Sequence, residues 1–378
     1  VMLPIKKGHD PKSAEQTSQL YKVNELAVLS YSASLHSSAG AKAREYLVKR
    51  GISQETAKQF RLGLARDSWD ELLSDLRSKN FGLGLIEKAG LIIPKDGGGY
   101  YDRFRNRIIF PIFDIKSSCI GFGARVTDDS LPKYINSPET AVYKKGKNLY
   151  GLNLAKDAVR ETDFVVVVEG YLDCIIPYRY GLHNIVASLG TALTPDQARL
   201  IKRYTHNVVI IFDGDLAGEL ATLRSLDIFS EEEMNVRIVA MPAGYDPDTY
   251  VRKLGIESFN KLIKDADNLF DYQLKVLKRK YDSTESEGKA KIASEILRTI
   301  KKLKDSILRN EYIKKLSERL DLDEYFVRDV YNNLKAERAI GEVVSESFSK
   351  LAKTNPTEKL LMKLMLEETQ LVNEIRKK

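Results

Sequence analysis

Cysteine and histidine are scarce in this sequence. Its 378 residues include two cysteines, Cys119 and Cys174, and four widely separated histidines. Two cysteines cannot build the disulfide framework of a small secreted domain, and no Cys or His residues have the spacing of a structural zinc site. We therefore expect neither a disulfide scaffold nor zinc within this chain.

Long apolar runs are also missing. The sequence has no uninterrupted apolar stretch long enough to span a bilayer, and no secretory signal peptide. This sequence therefore shows no pattern typical of a membrane-spanning helix or of a secretory signal. We expect a cytoplasmic protein that has no membrane partner.

The residues that are present describe a folded, basic protein. Hydrophobic residues make up 43% of the chain, which is enough for a buried core and excludes wholesale disorder. The length allows two or three domains. The net charge of +7 favours a polyanionic partner only weakly, because a lysine-rich surface without such a partner carries the same charge.

The first part of the chain reads as mixed α and β structure. Apolar residues recur at helical spacing from Ala14 to about Asn80, with a helix stop at Gly51 and a new start at Ser53. Two strands, Ile108–Phe113 and Cys119–Gly123, then follow and are joined by a turn. We expect this pattern to form an α+β subdomain.

From Asp163 the pattern changes to alternating strands and helices. The predicted strands are Phe164–Val168, Asn184–Ala187, Asn207–Phe212 and Asn235–Ala240. The predicted helices between them are at about Leu172–Tyr180, Pro195–Tyr204 and Ala217–Phe229. Such alternation predicts an α/β fold built on a parallel sheet. The chain is then helical from Ile256 to about Ala339, Ser345–Pro356 has the composition of a linker, and Glu358–Lys378 forms an amphipathic helix.

Acidic residues lie just beyond three of the predicted strands. Glu169 follows the first strand, Asp213 and Asp215 follow the third, and Asp246 and Asp248 lie beyond the fourth. Ligands of open parallel sheets bind at the carboxyl ends of the strands, so these clusters should converge at one edge. Carboxylates that are packed together need a cation, and Mg²⁺ prefers oxygen ligands. An isolated Asp-Gly-Asp is usually a surface turn, but three such clusters on one sheet favour a metal site.

Basic residues concentrate around the hairpin. Arg103, Arg105 and Arg107 are spaced so that an extended segment would project them from one face. Arg125 and Lys133 lie near the partner strand, and arginine suits phosphate because its planar fork donates two hydrogen bonds. A solvated basic edge strand is the alternative. For the basic run Lys144–Lys147, a solvated loop and DNA binding are about equally well supported.

Several motifs together resemble the bacterial DnaG-type primases. Residues 169–173 (Glu-Gly-Tyr-Leu-Asp), 187–192 (Ala-Ser-Leu-Gly-Thr-Ala) and 213–218 (Asp-Gly-Asp-Leu-Ala-Gly) are similar to the Toprim domain of that family. Residues 103–112, 121–125 and 132–140 resemble the primase-specific half of the polymerase core. The resemblance extends from about Tyr46 to about Gly255.

This resemblance implies a DNA primase: a nucleotidyltransferase that joins NTPs into a short RNA on single-stranded DNA for replication in a bacterial cytoplasm. It implies that Glu169, Asp213 and Asp215 are catalytic and bind Mg²⁺ or Mn²⁺, with two or more ions. A general base is the alternative role for Glu169. The remaining predicted metal ligands are Asp173, Asp246 and Asp248. The residues predicted to bind nucleotide or nucleic acid are Arg103, Arg105, Arg107, Arg125, Lys133, Tyr134 and Asn136.

The implied domain order starts with a leader or linker over residues 1–13 and an N-terminal α+β subdomain over 14–160. A Toprim-like subdomain follows over 161–255, and a helical subdomain over 256–340. We expect a linker over 341–356, and over 357–378 the start of a domain that docks on the replicative helicase and is largely absent here. The family's N-terminal zinc module is also absent from this sequence.

Two other functions fit parts of this pattern. A Toprim topoisomerase or nuclease shares the acidic clusters, but we find no room for the DNA-gating domain of a topoisomerase. A non-catalytic DNA-binding scaffold is disfavoured, because so many uncompensated carboxylates would weaken DNA binding.

Overall fold

The computed structural model describes residues 11–128, 130–190, 193–212, 228–229 and 232–332, with side chains from residue 14. The chain divides into two compact units, Val1–Lys280 and Tyr281–Lys378. In the described part, a mixed α and β portion is followed by a mostly parallel sheet with flanking helices, and then by helices alone. The predicted α/β class is therefore confirmed.

The N-terminal portion begins with helices. They are α1 (Pro11–His36), α2 (Ala41–Lys49), α3 (Gln54–Gln59), α4 (Glu71–Ser78) and α5 (Leu83–Lys88). The predicted helix stop and start are confirmed: Gly51 has a φ of +79°, and Ser53 caps α3 by accepting the N–H of Thr56. The prediction of helix alone up to Asn80 was wrong at β1 (Gly63–Ala65), because three residues are too few to show a strand's alternation.

An antiparallel sheet forms the centre of this portion. Its strand order is β1, β4 (Arg107–Phe113), β5 (Cys119–Arg125) and β6 (Tyr134–Asn136), while β2 (Ile92–Pro94) and β3 (Tyr100–Asp102) form a separate hairpin. The predicted turn between β4 and β5 is confirmed. The carboxylate of Asp114 closes it by accepting the N–H groups of Lys116 and Ser118, both at 2.9 Å.

Both faces of this sheet are buried. Ile109 and Phe122 belong to a cluster that includes residues of α1, α4 and α5. Ile108 and Phe110 belong to a second cluster, which also contains Val166 from the next sheet. Alternate residues of a strand point to opposite faces, so the antiparallel sheet joins the N-terminal helices to the parallel sheet through one continuous core.

The parallel sheet follows. Its strands are β7 (Val165–Val168), β8 (Ile185–Ala187), β9 (Asn207–Phe212) and β10 (Asn235–Ala240). They run in the order β8, β7, β9, β10, and β11 (Asp267–Asn268) pairs antiparallel with β10. The four predicted strands are confirmed to within one residue at each end, because continuous β-branched runs are typical of strands buried on both faces. β11 was missed, since two residues carry no pattern.

Helices flank and follow the parallel sheet. They are α6 (Leu152–Thr162), α7 (Tyr171–Arg179), α8 (Pro195–Lys202), α9 (Pro247–Leu254), α10 (Ile256–Lys264), α11 (Leu269–Lys280), α12 (Ser286–Lys302) and α13 (Ser306–Leu320). The predicted helix 217–229, apart from its last two residues, lies outside the described part of the chain, as do the linker 345–356 and the helix 358–378. None of the described helices combines the length and apolarity needed to cross a membrane.

Asp102 couples the stability of this fold to pH. Burial raises the pKa of Asp102 to about 6, although the N–H groups of Leu72 and Leu73, at the start of α4, donate to its carboxylate and oppose the shift. The folded state therefore holds this proton more tightly than the unfolded state, whose Asp pKa is about 4. The stabilisation is present below about pH 4 and is lost as pH rises through about 6.

We accordingly expect the wild type to lose about 2 kcal/mol of its free energy of unfolding, relative to Asp102→Asn, between pH 4 and pH 7. Urea denaturation of both proteins at several pH values measures this difference. A difference that does not change with pH would show that Asp102 has an ordinary pKa.

Candidate active site

The predicted acidic clusters follow neighbouring parallel strands. Glu169 comes directly after β7, and the adjacent strand β9 ends one residue before Asp213. On the other side of β9, β10 leads to the segment that carries Asp246 and Asp248. Parallel neighbours end at the same edge of a sheet, so the described ends of β7, β9 and β10 lie side by side. Asp213 and Asp215 themselves lie outside the described residues.

The backbone of Glu169 is held by the loop that follows β8. The N–H of Gly190 donates to the carbonyl of Glu169 (3.2 Å), and the N–H of Ser188 donates to that of Val168 (3.0 Å). Between them, Leu189 is buried and has a φ of +69°, a conformation that is strained for leucine. Strain of this kind clusters at functional sites, and here it accompanies the loop that fixes the end of β7.

Asp248 lies in a buried ion pair. Its side chain is 2% exposed, and its oxygens contact Arg252 (2.5 Å) and Arg50 (3.6 Å). Its backbone N–H donates to the carboxylate of Asp173 (3.3 Å). Asp248 therefore joins α9 to the end of α2 and to α7, and its charge is compensated by two arginines.

Asp246 caps α9, because its carboxylate accepts the N–H of Thr249 (2.7 Å). Among the described residues, no three His, Cys, Asp or Glu side chains form a group that could hold a metal ion. The exposed carboxylate of Glu169 offers the hard oxygen ligands that divalent cations prefer. A set of three or more ligands would have to include residues outside that part of the chain.

Tyr171 connects the segment that begins with Glu169 to strand β6 of the antiparallel sheet. It lies two residues after Glu169, and its hydroxyl donates to Oδ1 of Asn136 in β6 (2.7 Å). Its ring also stacks with that of Tyr134, with the ring centroids 6.0 Å apart. Two of the predicted nucleotide-binding residues are thus brought beside the segment that begins with Glu169.

Arg125 is a buried cation with no carboxylate partner among the described residues. It is 6% exposed and lies at the end of β5, where its guanidinium contacts the rings of Tyr46 and Tyr134. One nitrogen donates to the hydroxyl of Tyr134 (2.9 Å), while the buried Nε has no hydrogen-bond partner. No carboxylate in the described part of the chain pairs with it. Because buried charges are normally paired, this arrangement suits an anionic ligand.

The three arginines before β4 do not share one extended strand, so that prediction was wrong. Asn106 has a φ of +49° and breaks the segment, which leaves only Arg107 within β4. Each arginine donates to backbone: Arg103 to Gly90, Arg105 to Asp102 and Arg107 to Pro132. Whether they bind nucleic acid stays a prediction. Lys133 has an exposed side chain beside β6.

Trp69 is a surface residue that the sequence analysis missed. It is the single tryptophan of the chain and is 61% exposed. The guanidinium of Arg105 lies 4.3 Å from its ring, and the ring of Tyr101 contacts it edge-on. A lone tryptophan in the polar segment Asp67–Asp70 was the available signal. An exposed aromatic ring beside a cation is a platform on which a nucleobase can stack.

The basic run Lys144–Lys147 is an anchored loop. Thr194, at the start of α8, donates to the carbonyl of Gly146 (2.5 Å), and Gln197 donates to the carbonyl of Asn148 (2.8 Å). Lys147 also pairs with Asp196 (3.4 Å). The loop is fixed in place, but this geometry does not decide between the two interpretations of its charge.

Three protein-family models match successive parts of the chain. The N-terminal domain of the DNA primase catalytic core matches residues 30–156, a Toprim-like model matches 166–251, and the DnaB-helicase binding domain of primase matches 270–324. The third match falls on the predicted helical subdomain rather than on residues 357–378.

DNA primases of two bacteria are similar to this chain over most of its length. The chain is 46% identical to the DNA primase of Clostridium acetobutylicum, over 84% of this chain and 53% of that protein. It is 36% identical to the DNA primase of Escherichia coli, over 81% and 54% respectively. The chain thus spans about half the length of the curated relatives it matches.

Solved structures match over nearly their whole length. A DnaG primase catalytic domain bound to single-stranded DNA has a TM-score of 0.76 and 35% identity, covering 82% of this chain and 99% of that one. A DNA primase domain from Pseudomonas aeruginosa has a TM-score of 0.75 and 36% identity, covering 83% and 99% respectively.

Proposed function

The chain belongs to the DnaG-type DNA primase family, and we propose that it joins NTPs into short RNA primers on single-stranded DNA, with release of pyrophosphate. The observation that carries the proposal is the contact between Tyr171 and β6. This contact supports the proposal because Tyr171 lies two residues after Glu169, and Tyr134 also contacts the buried Arg125. A nucleotidyltransferase needs this pairing: carboxylates for metal, and cations for the triphosphate.

Toprim domains and primases use divalent metal ions, and we propose Mg²⁺ or Mn²⁺ here, with two or more ions. Glu169, Asp213 and Asp215 would hold them, supported by the strand-end position of Glu169 and by the oxygen ligands that all three offer. When bound, the metal activates the attacking 3′-hydroxyl and neutralises charge on the leaving pyrophosphate. Asp248 and Asp246 would position α9 instead, since their carboxylates already bind arginines and a helix N-terminus.

The remaining residues would bind and orient the substrates. The guanidinium of Arg125 suits the triphosphate because it is buried, donates from a planar fork and forms no ion pair within the described part of the chain. Lys133, Tyr134 and Asn136 continue this surface along β6 and its approach. The chain supplies no nucleophile in this scheme, and its contribution is position and charge.

We further propose that single-stranded template crosses the surface formed by Trp69, Tyr101 and Arg105. Aromatic rings stack on bases of any sequence, and the guanidinium of Arg105 would neutralise phosphate. The replicative helicase is the second proposed partner, through residues 270–324, for which the family match is the support. Two exposed apolar side chains of α13, Ile307 and Leu308, are available there for a protein contact.

Replacing Trp69 with Ala should weaken binding of single-stranded DNA about 10-fold, because base stacking on an aromatic ring is lost. Arg105→Ala should lower the slope of log affinity against log salt by about one. Fluorescence anisotropy with a labelled oligonucleotide measures both. Tyr180→Ala is a matched control, since Tyr180 is also exposed and also carries an arginine, Arg179, on its ring. Equal affinities for Trp69→Ala and Tyr180→Ala would remove this surface from the template path.

Incorporation of labelled NTP into RNA on single-stranded DNA, with Mg²⁺ and with EDTA, tests the proposed function. We expect product only with the metal. Relaxation or cleavage of supercoiled plasmid without RNA synthesis would instead favour a topoisomerase or nuclease. DNA binding that is indifferent to Mg²⁺, again without synthesis, would favour a scaffold.

A further inference from the structure

The hydroxyl of Tyr171 is buried against the antiparallel sheet, beside β4 and β5. Tyr171 is 3% exposed, and its ring stacks on Phe110 and meets Tyr150 edge-on, each with centroids 4.8 Å apart. A Cβ added to Gly123 would lie 2.1 Å from the Tyr171 oxygen. Gly123 therefore leaves the space that this hydroxyl fills, and packing fixes the hydroxyl in one position.

That hydroxyl fixes the orientation of the Asn136 amide. A tyrosine hydroxyl ordinarily carries its proton at neutral pH, so it can act as a donor here. It donates this proton to Oδ1 of Asn136 at 2.7 Å. Turning the amide over would place N–H groups against the hydroxyl and leave a buried O–H without this acceptor, which is costly. The amide therefore directs its Nδ2 donors away from Tyr171.

Strand register puts Asn136 on the same face of the sheet as Arg125. In the antiparallel pair of β5 and β6, Gly123 lies opposite Asn136, and Arg125 lies opposite Tyr134. Residues opposite each other, and residues two apart on one strand, project from the same face. Asn136, Tyr134 and Arg125 thus share the face on which Tyr171 packs.

We propose that Tyr171 is a positioning residue for the incoming nucleotide: it holds the Asn136 amide so that its N–H donors, together with Arg125, bind the phosphates of a nucleoside triphosphate. This inference rests on the proposed function and adds that Asn136 and Tyr171 have different roles in binding the nucleotide. Asn136 acts as a donor rather than an acceptor, and Tyr171 acts through Asn136 without touching the substrate.

Tyr171→Phe removes the hydroxyl and keeps the ring. We expect the KM for NTP to rise about fivefold, because the hydrogen bond that orients the Asn136 amide is lost. The kcat and the Kd for single-stranded DNA should change less than about twofold. Tyr150→Phe is the matched control. Tyr150 is equally buried and contacts the Tyr171 ring, but its own hydroxyl has no hydrogen-bond partner among the described residues. Its KM should stay at the wild-type value.

Variants of Asn136 separate positioning from packing. In an Asn136→Ala background, Tyr171→Phe should raise the KM no further, because the amide that it orients is gone. Asn136→Asp keeps an acceptor for Tyr171 but replaces the donors with a negative charge, so its KM should exceed that of Asn136→Ala. This second comparison also tests the proposal if Tyr171→Phe folds poorly.

The outcomes distinguish this inference from the function beneath it. If the wild type makes no RNA, the proposed function fails. If the wild type is active but Tyr171→Phe matches Tyr150→Phe, or if KM, kcat and DNA affinity all worsen together with a lower Tm, Tyr171 is a packing residue and the inference is overturned. Asn136→Asp with a KM equal to or below that of Asn136→Ala would overturn the donor role.

Discussion

Glu169→Gln should lower metal-dependent RNA synthesis by at least about 100-fold, because a neutral amide of the same shape cannot balance the charge of a bound cation. Asp213→Asn and Asp215→Asn should have effects of similar size. Binding of single-stranded DNA should be unchanged, and the Tm in EDTA should be unchanged or higher, since removing one carboxylate from the proposed cluster would relieve repulsion.

The rate is measured as labelled nucleotide incorporated per enzyme at saturating Mg²⁺ and NTP. Glu161→Gln is the matched control, because Glu161 is an exposed glutamate near the end of α6, before β7, and has no place in the site. Activity of Glu169→Gln close to that of Glu161→Gln would remove Glu169 from the metal site. A loss that came with a lower Tm in EDTA would assign Glu169 to folding instead.

Arg125→Met should weaken NTP binding by about 100-fold, because a buried arginine that pairs with phosphate contributes charge and two directed hydrogen bonds. The substitution should leave the free energy of unfolding unchanged or raise it. The wild type buries this cation without a carboxylate among the described residues, and an apolar side chain of similar length avoids that cost. Arg125→Lys should recover only part of the affinity, since lysine lacks the planar fork.

Isothermal titration with a non-hydrolysable NTP analogue measures this affinity. Arg160→Met is a suitable control, because Arg160 also lies over a tyrosine ring, that of Tyr204, but is exposed and paired with Asp157. A destabilised Arg125→Met that still binds NTP normally would show that Arg125 is a structural residue whose charge the fold tolerates.

The parallel sheet could be predicted from sequence because its signal is local. Runs such as Val165–Val168 are β-branched throughout, and Glu169 directly follows its strand, so topology alone predicts the sheet edge on which this carboxylate lies. β1 and β11 carry no such signal, because Gly63–Ala65 and Asp267–Asn268 contain no β-branched residue and only their pairing with neighbouring strands defines them.

The arrangement of the basic residues could not be predicted in this way. The spacing of Arg103, Arg105 and Arg107 predicts one face only if the backbone stays extended, and Asn106 breaks it. The buried state of Arg125 depends on Tyr46, which is far away in sequence. Contacts of this kind are decided by tertiary packing.

The ion pair of Asp248 was missed for the same reason. Arg252 is one helical turn away, but Arg50 lies about two hundred positions earlier in the chain. From sequence, Asp246 and Asp248 look like equivalent ligands of one acidic cluster. Their partners in the fold differ, and those partners are the reason to assign them to positioning rather than to metal.

The choice of nucleotides incorporated on a defined template is the sharpest test of the proposed primase activity. The chain is incubated with Mg²⁺, all four NTPs labelled at the α-phosphate in separate reactions, and a single-stranded DNA that contains only dT and dC. We expect RNA that incorporates label from ATP and GTP alone, and no product when Mg²⁺ is replaced by EDTA. Equal incorporation of all four nucleotides, or no RNA from a folded protein that binds the DNA, would contradict it.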